Sequence, residues 1–222
     1  MEGPHKVPSL DSWRVFRIVS ELVDGFETMT QLGPSIAFFG SLRILEGDTY
    51  YELCKTIAIK IAKKGFGIIT GGGTGIMEAA NRGAQEAKGK SCGLCIILPE
   101  EEQVNRYIDS KYHLNHRYFF IRKVMFVRYA KGFVVLPGGY GTLDEFFEAI
   151  TLIQTKRIQA FPIYLVGKEY WEGLLEWLKK TVVKRGNLSS KELSFFKVTD
   201  DPDEIVEGIQ THYLKSLGLE NF

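Results

Sequence analysis

Glycine-rich turns at the ends of apolar runs are the first residues of this sequence to suggest chemistry. Gly40-Ser41 follows the run SIAFF, GGGTGIM (71–77) follows FGIIT, and PGGYGT (137–142) follows FVVL. Glycine lets a backbone approach a ligand closely, and the N–H groups at a helix N-terminus attract anions. A single such turn is explained equally well by a tight connection between a strand and a helix. Three turns on separate strands favour a shared phosphate site.

The spacing of these glycines excludes the two commonest nucleotide motifs. A dinucleotide fingerprint requires G-x-G-x-x-G, but its last position falls here on Ile76 or Glu78. A Walker loop ends in G-K-[ST], which residues 89–91 provide, but Ala84 occupies its first glycine position and a strand follows it. The remaining interpretation is a single phosphate on a smaller ligand.

Three charged residues flank the PGGYGT turn. Arg122 and Lys123 lie on the predicted helix before it, and Glu145 lies on the predicted helix after it. Elements that flank one strand can place an arginine and a carboxylate on opposite sides of one crevice. Glu145 has a purely structural alternative, because Thr142 and Glu145 fit a capping box with Thr142 as the N-cap residue. The alternative for Arg122 is a surface arginine, and the residues alone leave both alternatives open.

Short apolar runs alternate with helical periodicity along the chain. We predict strands at residues 35–39, 66–70, 92–98, 133–136, 161–166 and 195–199, with a loop over the site at 100–117. Helices are predicted between the strands, among them residues 78–88, 118–131, 170–185, 203–217 and one that starts at Leu143. An amphipathic N-terminal helix is predicted from the spacing of Trp13, Phe16, Val19, Val23 and Phe26. Apolar strands that alternate with helices are typical of a covered parallel sheet. We therefore predict one α/β domain over residues 1–222, with residues 1–31 as a helical extension: a Rossmann-like, doubly wound parallel sheet with helices on both faces.

The composition restricts partners and compartment. Lys and Arg total 28 and Asp and Glu 27, so the net charge is +1. This small charge gives no excess of positive residues that would predict binding to nucleic acid or to an anionic membrane. The first residues lack the apolar run typical of a signal peptide, and we expect no stretch of the sequence to span a bilayer. Cys92 and Cys95 form C-x-x-C, but on a strand they point to opposite faces and are better explained as core thiols. His113 and His116 are predicted loop residues rather than metal ligands. We expect a cytoplasmic protein.

The turns and charged residues together resemble the LONELY GUY (LOG) family. PGGYGTLDE (137–145) fits the family motif P-G-G-x-G-T-x-x-E, and Arg122-Lys123 fits its R-K pair, with Arg122 placed 23 residues before Glu145. Residues 71–84 and 118–158 are similar to a bacterial branch described as possible lysine decarboxylases. The resemblance covers residues 36–166, the expected family core. Asn105 stands near the position of a substrate-binding glutamate in the plant enzymes.

The resemblance implies hydrolysis of the N-glycosidic bond of a nucleoside 5′-monophosphate, AMP or a cytokinin ribotide, to free base and ribose 5-phosphate. It implies that Glu145 stabilises a ribosyl cation and that Arg122 assists the departing base or anchors the substrate. It implies no cofactor and no metal, and a homodimer or a multiple of one, for which the aromatic helix 118–129 offers a surface. The implied substrate-binding residues are Gly40, Ser41, Gly72, Gly73, Thr74, Asn105, Lys123, Gly138, Gly139, Tyr140, Gly141, Thr142 and Thr151.

Two other functional classes stay open beside the hydrolase. A nucleotide or cofactor carrier is one, because related Rossmann-like proteins resemble molybdenum-cofactor carriers, although the intact pair of Arg122 and Glu145 argues against a pure carrier. A lysine decarboxylase is the other. Such an enzyme needs a Schiff-base lysine and a partner for the pyridinium nitrogen of pyridoxal phosphate, and we identify no such constellation in the sequence.

Overall fold

The computed structural model describes residues 10–97 and 104–216, and within these ranges seven strands form one sheet. The strands are β1 Ser35–Phe39, β2 Gly67–Thr70, β3 Ser91–Ile96, β4 His113–His116, β5 Ala130–Val135, β6 Ile163–Leu165 and β7 Lys197–Val198. Their order is β4-β3-β2-β1-β5-β6-β7, and all neighbours pair in parallel. This arrangement confirms the predicted doubly wound, Rossmann-like α/β fold.

Helices cover both faces of the sheet. They are α1 Leu10–Leu32, α2 Thr49–Lys63, α3 Ile76–Glu86, α4 Phe119–Tyr129, α5 Tyr140–Gln154, α6 Lys168–Trp177 with a π-helical continuation at Leu178–Val183, and α7 Pro202–Lys215. One hydrophobic core contains buried residues of α2, α3 and α7, and the other contains those of α1, α4, α5 and α6. None of the helices in the described ranges is long and apolar enough to cross a membrane.

The strand order reverses between β1 and β5. From β1 the chain adds β2, β3 and β4 on one side, whereas β5, β6 and β7 extend the sheet on the other side. Phe39 of β1 aligns with Val135 of β5 at their carboxyl ends. The chain then continues from β1 to α2 and from β5 to α5, which pack on opposite faces. Such a reversal opens a crevice between the two following loops, where ligands of doubly wound folds bind.

Predictions for β4, β5, α3 and α5 differ from the structure. β5 begins at Ala130 rather than at residue 133, so the helix before it ends at Tyr129. Residues 113–116, predicted as loop, form the edge strand β4, whose polar sequence HLNH reflects exposed side chains at His113 and Asn115. α3 and α5 begin at Ile76 and Tyr140, earlier than predicted, because the glycine-rich turns continue directly into the first helical turn. Residues 98–103, which include the end of the predicted third strand and the start of the predicted loop, lie outside the described residues.

The N-terminal helix is present, but the residues that predict it point to solvent. Trp13, Phe16, Val19, Val23 and Phe26 are all exposed. A second apolar stripe with similar helical spacing, which includes Ile18, Leu22, Met29 and Leu32, packs against the body of the protein instead. Periodicity alone does not distinguish between two apolar stripes on one helix.

Gly75 provides a test of how the first two glycine turns fit together. Its φ is 66°, and a Cβ there would lie 2.4 Å from the carbonyl oxygen of Ser41. Because both the left-handed conformation and the contact with backbone oppose a side chain, we expect Gly75→Ala to lower the free energy of unfolding by about 2 kcal/mol or more. Gly173→Ala on α6, where a Cβ meets nothing within 4 Å, is the matched control. Urea denaturation measures the stability of both variants against that of the wild type. A Gly75→Ala variant as stable as the wild type would show that neither the left-handed conformation nor the backbone contact constrains this position.

Candidate functional site

Hydrogen bonds join the turns that follow β1, β2 and β5. The Ser41 N–H donates to the Pro137 carbonyl at 2.9 Å, and the Ile76 N–H donates to the Ser41 carbonyl at 3.0 Å. Thr74 Oγ1 donates to the Leu42 carbonyl at 3.0 Å. The three glycine turns identified in the sequence therefore form one continuous rim at the carboxyl end of the sheet.

Gly40 and Gly138 lie at the closest approach of two of these turns. A Cβ on Gly138 would lie 3.0 Å from the carbonyl carbon of Gly40 and would overlap the Thr142 side chain. A Cβ on Gly40 would lie 2.5 Å from a methyl carbon of Ile76. Both glycines are therefore required for the turns to meet, and their contact with a ligand stays a prediction.

The N-terminus of α5 lies inside the PGGYGT motif. Its N-cap residue is Gly139, no side chain caps it, and Thr142 is the third residue of the helix. The capping alternative for Glu145 is therefore wrong, because Thr142 is not an N-cap residue. The first N–H groups of a helix have no intrahelical acceptor and attract anions. A Cβ on Gly139 or Gly141 would meet nothing within 4 Å, so these glycines border open space.

Glu145 lies in the second turn of α5, where it is only 4% exposed. Its Oε1 is 4.0 Å from Nη2 of Arg122, and its Oε2 is 3.8 Å from Nζ of Lys123. Helices α4 and α5 therefore bring together the three charged residues that the sequence suggests. Glu145 Oε2 is buried and accepts no hydrogen bond from the described residues. A buried carboxylate oxygen without a donor is costly in a purely structural role and indicates a functional one.

Burial governs the protonation of Glu145. It raises the pKa of the Glu145 carboxyl from 4.5 to about 7, against the lowering effect of the Lys123 and Arg122 charges. The carboxylates of Glu148 and Asp144 add to the increase. At this pKa the Glu145 carboxyl is partly protonated and partly ionised near neutral pH, which is a property favourable for proton transfer.

Lys123 is surrounded by carboxylates of α5. Its Nζ lies 2.8 Å from Asp144 Oδ2 and 2.8 Å from Glu148 Oε2, in addition to its contact with Glu145. Burial lowers the pKa of Lys123, but hydrogen bonds to Asp144 and Glu148 and the charge of Glu145 outweigh that effect and leave the pKa raised. Lys123 is therefore a stable cation that links α4 to α5 and offsets part of the Glu145 charge.

Arg122 extends from α4 to the triple-glycine turn. A Cβ on Gly71 would lie 3.7 Å from Nη1 of Arg122. The guanidinium group also lies over the ring of Phe119, 5.0 Å from its centroid, a contact that restricts its orientation. The arginine predicted to be catalytic therefore lies between the turn after β2 and the carboxyl group of Glu145.

Asn105 supports the triple-glycine turn from below the surface. Its Nδ2 donates to the carbonyl oxygens of Gly72 and Gly73, at 3.2 and 2.9 Å, and to Asn81 Oδ1 at 3.0 Å. Asn81 also accepts from Thr70 Oγ1 at 2.6 Å. Because its amide is used in this network, Asn105 shapes the turn, and a direct contact with substrate stays a prediction. Asn81 and Thr70 were not predicted, although buried polar residues in apolar elements are a usable signal.

Two predicted substrate-binding residues of α5 lie apart from Glu145. Tyr140 is 93% exposed at the N-terminus of the helix. Thr151 is exposed near its C-terminus, and its hydroxyl donates to the Phe147 carbonyl at 2.7 Å. Thr151 is six residues beyond Glu145 and therefore lies on a different face of α5, so the two side chains of one chain are not beside each other. Tyr170, which no motif suggests, donates its hydroxyl to the Gly138 carbonyl at 2.7 Å and braces the turn.

A family model described as possible lysine decarboxylase matches residues 77–209. The match extends from α3 into α7 and includes both the Arg122-Lys123 pair and the PGGYGTLDE motif. The chain belongs to this family. It is the LONELY GUY family whose motifs the sequence resembles.

Several curated proteins are similar to this chain. A probable cytokinin riboside 5′-monophosphate phosphoribohydrolase of Oryza sativa is 31% identical over 143 residues, which are 60% of this chain and 54% of that protein. A cytokinin riboside 5′-monophosphate phosphoribohydrolase of Arabidopsis thaliana is 25% identical over 169 residues, 74% of this chain and 72% of that protein. This chain therefore spans about half the length of the rice relative.

Solved structures with the same fold include molybdenum-cofactor proteins. The molybdenum cofactor binding protein of Rippkaea orientalis has a TM-score of 0.56 at 18% identity, over 80% of this chain and 94% of that one. The molybdenum cofactor carrier protein of Chlamydomonas reinhardtii has a TM-score of 0.55 at 19% identity, over 82% and 99%. At these identities the similarity shows the fold alone.

The buried Glu145 carboxyl predicts an unusual dependence of stability on pH. Its pKa of about 7 lies above its ordinary 4.5, so the folded state binds this proton more tightly than the unfolded state. The stabilisation is complete below about pH 4.5 and is lost as the pH rises through about 7. We expect Glu145→Gln, which carries no charge, to be more stable than the wild type at pH 8 by about 1–3 kcal/mol, with the difference vanishing towards pH 4.5.

Urea denaturation at pH 5 and pH 8 measures this difference. Glu207→Gln, on the exposed side of α7, is the control and should follow the wild type at both values. The same pH dependence in the wild type and in Glu145→Gln would show that the carboxyl is not buried as described.

Proposed function

We propose that this chain hydrolyses the N-glycosidic bond of a nucleoside 5′-monophosphate, AMP or a cytokinin ribotide, and releases free base and ribose 5-phosphate. The observation that carries the proposal is the buried Glu145 carboxyl, 4.0 Å from Arg122, on the helix whose N-terminus opens at the PGGYGT turn. Relatives named as phosphoribohydrolases support a glycosidase-type enzyme in general. The nucleotide substrate itself is our inference.

The N-terminus of α5 fits the phosphate of such a substrate. Gly139, Gly141 and Thr142 supply N–H groups where the helix dipole is positive, and open space adjoins the two glycines. Helical rise places Glu145 about 6 Å beyond Gly141 along the axis. A phosphate held at the turn would therefore leave the ribose and its anomeric carbon within reach of Glu145.

The reaction breaks one bond and forms one. The C1′–N bond breaks with its electron pair going to the base, and a water oxygen bonds to C1′. The water loses one proton and the base gains one, so the protons balance. Positive charge develops on the ribose ring in between, and a preorganised carboxylate stabilises such charge. We assign that role to Glu145, which also orients the water or a ribose hydroxyl.

Arg122 and Lys123 act on opposite sides of this carboxylate. Arg122, between Gly71 and Glu145, assists the departing base or anchors the substrate. Lys123 positions Glu145 through the ion pairs between α4 and α5. A Schiff-base lysine needs a lowered pKa, whereas the pKa of Lys123 is raised, which is unfavourable for a decarboxylase role of this residue.

We further propose that two copies pair through α4, as the sequence suggests. Phe119 and Phe120 at its N-terminus are each 50% exposed, close to Arg122. Aromatic residues are enriched in interfaces between subunits. A two-fold contact at this position would bring residues of a second copy near the site.

Removal of the Glu145 charge tests the proposed mechanism. We expect Glu145→Gln to lower kcat for AMP hydrolysis by about 10²–10³, because the counter-charge to the ribosyl cation is lost. The fold should survive, since the carboxyl destabilises it at neutral pH. In the wild type kcat/KM should rise with pH up to about 7 as Glu145 ionises. Arg122→Ala should be similarly impaired, whereas Glu207→Gln should be fully active.

Release of free base, quantified by chromatography alongside the melting temperature of each variant, separates catalysis from folding. A fully active Glu145→Gln would contradict the mechanism. A folded wild type that releases no base from any nucleoside monophosphate would contradict the proposed activity itself.

A further inference from the structure

A line of exposed apolar residues on α1 serves neither the core nor the proposed site, although the ring of its last member, Phe26, also contacts Tyr129 and Arg128 of α4. We name it the α1 stripe: Trp13, Phe16, Val19, Val23 and Phe26, which are 66%, 67%, 50%, 54% and 37% exposed. They recur every three or four residues over about 20 Å of helix. The opposite side of α1 packs in the core of α4 and α5. A contiguous apolar surface of this kind on a folded protein marks an interaction site.

The charges beside the α1 stripe change sign along the helix. Arg14 and Arg17 lie in the N-terminal half, and Asp24 and Glu27 lie in the C-terminal half, all of them exposed. Arg128 of α4 lies over the ring of Phe26 at the acidic end, 5.6 Å from its centroid, so the acidic character there is partly offset. Arg17 and Asp24 are seven residues apart, about two helical turns, and so lie on the same side of α1. In an antiparallel pair of identical helices, the same side of each helix faces its counterpart. Arg17 of one copy then approaches the two carboxylates of the other.

We propose that the α1 stripe is a two-fold interface at which the α1 helices of two copies pair in antiparallel fashion. The axis passes near Ser20, midway between the basic and acidic residues, so each attractive contact occurs twice. A parallel pair would instead bring like charges together. Trp13 and Phe16 supply the aromatic anchors that dominate interfaces. This surface goes beyond the proposed catalytic function and is separate from Phe119 and Phe120 on α4.

Other occupants fit the α1 stripe less well. A helix that binds an anionic membrane carries lysine or arginine on its polar face, but α1 contains four acidic residues and only two arginines. Residues 1–9 of the chain include Met1 and Val7 but no aromatic residue, too little to cover five large side chains. Residues 217–222 follow α7, which packs in the other core. A second copy brings an equal stripe and the complementary charges.

The size of the α1 stripe sets the expected strength of pairing. At the stated exposures its three aromatic side chains offer roughly 400 Å² per copy. That is about half of what one partner contributes to a standard interface. We therefore expect a reversible association with a dissociation constant on the order of micromolar.

Sedimentation equilibrium of the full chain tests the interface. Val19→Lys/Val23→Lys places charge at the centre of the stripe and should raise the dissociation constant at least about tenfold, halving the mass where the wild type is associated. Both valines are exposed, so the melting temperature should not change when it is measured below the dissociation constant, where pairing adds nothing to the stability of the wild type. Leu214→Lys on α7, an apolar residue that is 59% exposed, is the matched control and should keep the wild-type mass. An unchanged mass in the valine variant would overturn the proposal.

A charge reversal tests the antiparallel arrangement. Arg17→Glu should weaken pairing severalfold, and Arg17→Glu/Asp24→Arg/Glu27→Arg should restore it, because the swapped charges are again complementary. Failure of the swapped variant to recover the wild-type dissociation constant would overturn the arrangement. So would a wild type whose mass is unaffected by Val19→Lys/Val23→Lys at every concentration but which binds phosphatidylserine vesicles.

Discussion

The central strand β1 pairs on one side with β2 and on the other with β5. After β1 the chain continues to α2 on one face of the sheet, and after β5 it continues to α5 on the other face. The loop after β1 and the loop after β5 separate at this point, yet the hydrogen bond from Ser41 to Pro137 keeps their turns in contact. Gly40 and Gly138 permit this close approach of the two turns, because a side chain at either position would overlap neighbouring atoms. The position of α5, and with it the position of Glu145, follows from this one pairing.

The same geometry imposes an electrostatic cost. α5 carries Glu145 into a position that is almost inaccessible to water, and the charges of Arg122 and Lys123 only partly offset the loss of hydration. A structural role would be served as well by glutamine. The retention of a carboxyl group that burial holds near neutral pKa is the pattern expected where chemistry, rather than stability, determines a residue.

The sequence predicts those parts of the fold that depend on local pattern. Apolar runs such as residues 35–39 give the buried strands, and glycine after such a run gives the turns of the site. Edge strand β4 could not be predicted, because exposed residues such as His113 remove its apolar signal. The predicted start of α5 was also wrong. Its N-cap residue is a glycine, which has no capping side chain that could indicate the start of a helix in the sequence.

Residues that act through tertiary contacts were the hardest to assign. The pairing of Arg122 with Glu145 could be expected from their flanking positions and from the family motif. The use of Asn105 to hold the triple-glycine turn, and of Tyr170 to brace Gly138, depends on elements distant in sequence. Likewise, periodicity identified α1 but not which of its two apolar stripes meets the core, because both have helical spacing.

We propose that a nucleoside 5′-monophosphate is cleaved at its glycosidic bond by a site that holds its phosphate. The most direct measurement is release of free base and ribose 5-phosphate from a panel that contains AMP, other nucleoside monophosphates, an N6-isopentenyl form and unphosphorylated adenosine. We expect equimolar base and ribose 5-phosphate, with kcat/KM for AMP at least about a hundredfold above that for adenosine, because several N–H groups would anchor the phosphate. Comparable values for AMP and adenosine, or nucleotide binding without any base release, would contradict it.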